Sequence, residues 1–136
     1  MKTLTPVLLL ALVVACGTGS RNRASRQSEW PEGESPMTVH PKIEKWIRMG
    51  NMDVGRRDDG RMEVRMAIAN RSKKPITVLA YTDWVDADGN VLERSNDVPM
   101  VIPSGTTKLY EDVSWSSKVE RFSVSVRPAN TVRRTR

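Results

Sequence analysis

Cys16 and His40 are each the sole residue of their type in a chain of 136 residues, and both are side chains able to do chemistry. His40 stands between Val39 and Pro41. Acid–base catalysis or metal ligation there would need partner residues. No second histidine, no further cysteine and no paired-carboxylate pattern surrounds it. Nothing in the chain marks a nucleophile, such as a Gly-x-Ser-x-Gly elbow, so no serine–histidine–carboxylate set can be assembled. Asp86-x-Asp88-Gly89-Asn90 has the opening of a calcium loop but lacks the ligand spacing and the distal glutamate, and a β-turn explains it better. The residue types therefore predict a protein that is not an enzyme and that carries no metal and no cofactor.

The chemistry of Cys16 is set by what precedes it. Lys2 and the amino terminus make a small positive start, and an apolar run follows from Val7 to Ala15. That run is shorter than the roughly 20 residues that a membrane-spanning helix needs. It ends in small residues, and Val13-Val14-Ala15-Cys16 resembles a bacterial lipobox. In such a motif the thiol is diacylated, the signal is removed and the new amino terminus is acylated. Residues 1–15 are thus read as a lipoprotein signal peptide and Cys16 as the lipidation site. A secretory signal cut by the ordinary peptidase is the alternative. Each buried methylene of an acyl chain contributes about 0.8 kcal/mol, so two or three chains hold a protein firmly on a membrane. Gly17, where an aspartate would favour inner-membrane retention, leans toward the outer membrane, facing the periplasm.

The elements that would carry these groups follow from the remaining 121 residues, enough for one small domain with tails. With Cys16 acylated no disulfide is possible, so core packing alone must hold the fold. The net charge is +6, falling to +5 without Lys2. For an exported chain that excess argues against nucleic acid and for solubility or anionic envelope surfaces. Residues 16–36 are rich in Ser, Gly, Arg, Glu and Pro without a hydrophobic period, and predict a flexible tether behind the lipidated cysteine. Such a tether averages about 25 Å end to end and stretches to about 70 Å. Residues 128–136, with Arg133, Arg134 and Arg136, predict a disordered basic tail.

Between 37 and 127 the pattern changes. Met62, Val64, Met66 and Ile68 alternate with Glu63, Arg65 and Ala67, the two-residue period of a strand with one buried face. Asp58-Asp59-Gly60 before it suits a hairpin turn, with residues 51–57 as the partner strand. Residues 76–86 are dense in β-branched and aromatic side chains and end in the turn at Gly89. Residues 91–93 and 98–102 predict short strands, Pro103-Ser104-Gly105 a turn, and 106–113 another strand. Phe122, Val124 and Val126 alternate with Ser123, Ser125 and Arg127. Six to eight short strands with frequent turn signals and almost no helical period predict an all-β, immunoglobulin-like antiparallel sandwich.

Several motifs of this zone resemble the YcfL-type bacterial lipoproteins, a family of largely unassigned function. They are Asn70-x-x-x-x-Pro75-Ile76, Tyr81-x-x-Trp84-x-Asp86-x-x-Gly89, Val101-Ile102-Pro103-x-Gly105 and the closing Phe122-x-Val124-x-Val126-Arg127 strand. The resemblance implies an immunoglobulin-like sandwich on a membrane anchor. It supplies no catalytic or binding residues.

Trp46, Tyr81, Trp84, Tyr110, Trp115 and Phe122 are expected in the core and its rims. Trp115, flanked by Ser114, Ser116 and Ser117, is the aromatic most suited to be exposed and, with Arg133, Arg134 and Arg136, a candidate contact residue. Met62 and Met66, on the alternating strand, read as core fillers. The function expected from these features is a non-catalytic envelope lipoprotein that presents a β-sandwich to another envelope protein or a wall polymer, with the membrane engaged through the acyl chains on Cys16. A periplasmic carrier or sensor module binding a small ligand or a metal is the alternative.

Overall fold

The alternation in residues 62–70 does what a two-residue period demands. In the computed structural model, which describes residues 35–130, Met62, Val64, Met66 and Ile68 point into the core, while Arg65 is exposed. The same rule buries Val78, Ala80, Thr82 and Trp84 of one strand and Phe122, Val124 and Val126 of another. Eight strands result: β1 (Met37–Val39), β2 (Ile47–Arg56), β3 (Met62–Asn70), β4 (Ile76–Val85), β5 (Val91–Arg94), β6 (Val98–Ile102), β7 (Thr107–Val113) and β8 (Arg121–Pro128). No helix is found among the described residues.

The strands form the two layers of a β-sandwich. The larger sheet has the order β1-β8-β4, with β5 and β6 lying end to end along the far edge of β4. The smaller sheet has the order β2-β3-β7. Four strand columns therefore face three. Trp84 and Phe122, 6.1 Å apart between ring centroids, fill the core with Val64, Met66, Ile68, Val119 and Ile102. Each such side chain contributes about 1.5–3 kcal/mol on burial.

The structure departs from the sequence reading in a few places. β1 was not expected; its three residues pair in parallel with Val124–Val126 of β8, the one parallel pair among the described strands. β2 begins at Ile47, and a register shift between Met49 and Met52 accommodates Gly50, where an added Cβ would meet that of Ala67 at 3.4 Å. The expected tail does not begin at 128, because Pro128 ends β8 and the Ala129 N–H reaches the Thr77 carbonyl at 3.2 Å.

The two lateral sides of the sandwich are built differently. On the β1/β2 side, Ile43 of the connecting segment and Ile47 at the start of β2 tuck into the core at 4% and 5% exposure. Met37, Val39, Met49, Met52 and Val54 pack half-buried against that core. On the β5–β6/β7 side several apolar residues stay exposed.

Candidate contact site at the open seam

Seven large apolar residues are exposed among the described residues, and six of them lie on or just after β5, β6 and β7: Val91, Leu92, Val98, Val101, Leu109 and Trp115. The seventh, Trp46, carries the Lys45 ammonium 4.4 Å from its ring centroid. Scattered exposed apolar residues need no explanation, but this concentration along one seam is the feature that marks a contact surface. Val98 decides the point. Opposite Ala80 in register, it faces the core side, yet it is 40% exposed because no strand of the smaller sheet covers it.

Two open cavities line the seam. One, of about 510 Å³, lies between β6 and β7 and is bounded by Val98, Met100, Lys108 and Tyr110. The other, of about 570 Å³, continues past the end of β7 to Trp115 and is rimmed by Arg57, Arg61, Arg65 and Arg94. Those arginines are engaged with carboxylates: Arg57 with Glu63 at 3.1 Å, Arg61 with Asp59 at 2.7 Å, Arg65 with Glu111 at 3.2 Å, and Arg94 with Asp83. The bonds it donates to Asp83 hold the Arg94 guanidinium above its ordinary pKa. Arg94 also lies 4.8 Å from the Tyr81 ring centroid. The rim thus has both signs of charge in a fixed pattern.

Trp115 is 83% exposed, the highest value of any large apolar residue described. Its backbone N–H donates to Glu93 Oε1 at 2.6 Å, and buried Ser114 beneath it accepts the Met62 N–H at 2.9 Å. The indole is thereby presented on a fixed backbone.

Two buried polar clusters hold the seam in shape. Tyr110 of β7 shares a 2.8 Å hydrogen bond with Thr82 of β4, joining the two sheets, and donates to Asp112 Oδ2 at 3.1 Å. Burial pushes the Tyr110 hydroxyl up to about 12. At the end of β3, Asn70 is 1% exposed. Its Nδ2 donates to the carbonyls of Lys74 and Ile102 at 2.8 and 2.9 Å, and its Oδ1 accepts the Ser72 N–H at 2.8 Å. That side chain pins the β3–β4 crossover to the end of β6.

The other sequence candidates do not assemble into a site. His40 Nδ1 accepts the Lys42 N–H at 3.2 Å, a local bond. Asp86 Oδ1 accepts from the Asp88 and Asn90 N–H groups at 2.9 and 2.8 Å, which closes the loop as a turn with Gly89 at φ 90°. The Asn90 backbone bond holds that carboxyl below its ordinary value. Among the described residues no group of three or more histidines, cysteines or carboxylates is placed to hold a metal ion, and no helix is long and apolar enough to cross a membrane. Cys16, Trp30, Arg133, Arg134 and Arg136 lie outside the described residues. Sequence reasoning singled out Trp115 but passed over Val98, Val101 and Leu109.

No family model matches the chain, and no curated protein matches it either. Among solved structures it is similar to Campylobacter jejuni cj0090, with a TM-score of 0.59 and 17% identity over 70% of this chain and 99% of that one. It is also similar to a DUF1425 family member from Shewanella sp. pv-4, with a TM-score of 0.55 and 16% identity over 63% of this chain and 81% of that one. Both likenesses are of fold. The sandwich is a shared architecture, and the function must be argued from the surface.

Proposed function

We propose that this protein is a non-catalytic envelope lipoprotein, anchored through acyl chains on Cys16, that works by protein contact through the open seam. The single observation that carries the contact role is the gathering of six exposed apolar side chains along β5, β6 and β7, with Trp115 at one end. The anchor is supported by the lipobox-like Val13-Val14-Ala15-Cys16 and by the tether-like composition that follows. The finer resemblance to YcfL-type lipoproteins, carried by Asn70, Trp84, Gly89 and Gly105, fits the same reading. Asn70 there is a structural knot, and Gly89 and Gly105 take positive φ at turns, so those motif positions belong to the scaffold.

Crosslinking in intact envelopes tests the proposal, with the tagged protein compared with Cys16→Ser and with Trp115→Ala. A defined protein partner is expected, lost on Trp115→Ala and displaced on Cys16→Ser. Recovery of the same envelope proteins from all three would overturn it. Failure of Cys16 to incorporate labelled fatty acid would remove the anchor.

A further inference from the structure

We propose that the seam is the vacant position of a fourth strand in the smaller sheet. Its occupant is an extended segment of a partner polypeptide, antiparallel to β7, with a basic, an apolar and an acidic residue at alternate positions. The inference rests on reading the seam as a contact surface and says how that surface binds.

Backbone parity supplies the first argument. The Thr106 carbonyl accepts from Asn70 N–H at 2.9 Å, and the Ser114 N–H donates to the Met62 carbonyl at 2.8 Å, so even-numbered residues across β7 turn their backbone groups to β3. In an antiparallel ladder the alternate residues turn theirs the other way. Thr107, Leu109 and Glu111 therefore aim N–H and C=O into the seam, while the Val113 N–H is already taken by Asp112 Oδ1 at 2.8 Å. The facing edge differs. On β6, Pro99 has no N–H to offer, which blunts it against pairing.

The second argument is the floor. A strand added to β7 lies over β5–β6 and covers the 40%-exposed Val98. Its inward side chains meet Lys108, Tyr110 and Asp112, so an acid, an apolar residue and a base complement them in turn. Antiparallel pairing reads that pattern as base, apolar, acid along the partner. This chain's own tether does not fit, since Trp30 is its one large apolar residue between 17 and 34 and Pro31 follows it. A second copy carries that pattern in its own Lys108, Tyr110 and Asp112 but is excluded by shape, because its fourth column, overhanging its β7, would collide with the β4 that lies beneath β7 here.

The probe is a blocked peptide alternating threonine with lysine, valine and glutamate in that order, titrated into the isotope-labelled full chain in detergent. Saturable amide shifts centred on Leu109 and Glu111 are expected, with about tenfold weaker binding when lysine and glutamate trade places. Leu109→Pro, which removes a seam-facing N–H and no hydrogen bond to β3, should abolish binding and leave the other amide shifts in place. Binding that survives Leu109→Pro overturns strand addition but leaves the seam as a side-chain contact surface. Shifts elsewhere, no binding, or equal binding of the two peptides overturn the proposal. Seam shifts that grow with protein concentration alone assign the edge to a second copy and overturn it as well.

Discussion

The two lateral sides of this sandwich are made of similar residues and end in opposite states. On the β1/β2 side, Met37, Val39, Met49, Met52 and Val54 are half-buried, because Ile43 of the segment between β1 and β2 and Ile47 at the start of β2 close over the core. On the other side, Val98 is no less apolar, yet it is 40% exposed because no strand of the smaller sheet covers it, and Val101 and Leu109 lie on the outer faces of the two sheets. Apolar content therefore does not decide burial; the path of the chain does. One side is finished by the chain itself, and the other is left for something else to finish.

The largest test sets the two sides against each other. Ile43→Ala or Ile47→Ala should each lower the unfolding free energy by about 3 kcal/mol, the cost of a cavity in a packed core. Val101→Ser and Leu109→Ser should stay within about 0.5 kcal/mol of the parent. Denaturant titration reads all four, and equal costs on the two sides would break the comparison.

Asn70→Ala comes next, at about 2 kcal/mol, because it leaves the buried Ile102 carbonyl at the end of β6 and the Lys74 carbonyl of the crossover without their donor. Amide exchange should show the loss concentrated where β6 meets the β3–β4 crossover, on the open side. A uniform loss would instead make Asn70 part of the general core.

Tyr110→Phe should cost about 1 kcal/mol near neutrality. It also changes the alkaline limb. The folded-state hydroxyl lies at about 12 against an ordinary 10.0, so the protonated form is favoured by the fold. That stability is fully present below the ordinary value and is lost as pH rises from 10 toward 12. Thermal melts of the parent should therefore fall in that window, and those of Tyr110→Phe should fall less.

The smallest effect is at Asp86, in the turn between β4 and β5. Its carboxyl is held low by the Asn90 backbone bond, so its contribution is present above 3.8 and fades as pH drops further. Asp86→Asn should flatten the acid limb slightly, as followed by melts at low pH, and leave β1 and β2 untouched.

Much of the fold was legible because alternation is a local signal. Met62 to Ile68 and Phe122 to Val126 declared their buried faces residue by residue, and Gly60 and Gly89 marked their turns by needing positive φ. β1 was not legible, since Met37-Thr38-Val39 is too short for a period and is a strand only because β8 pairs with it from far along the chain. The seam was half legible. Serines around Trp115 signalled exposure, but residues 98–102 read as an ordinary strand. Whether Val98 is covered depends on the missing fourth column of the other sheet, which no spacing within β6 encodes.

The short parallel strand has a mechanical consequence. A pull on the chain ahead of Ser35 falls first on β1, whose ties to β8 include Val124 N–H to the Pro36 carbonyl at 2.8 Å and His40 N–H to the Val126 carbonyl at 2.9 Å. Ile43, within the turn that follows β1, is the first deeply buried brake. Under tension β1 should peel away before the core yields, releasing eight residues, 35–42, or about 25 Å of extra reach. In single-molecule extension it would register as a short first step ahead of global rupture, a built-in length of slack at the entry to the sandwich.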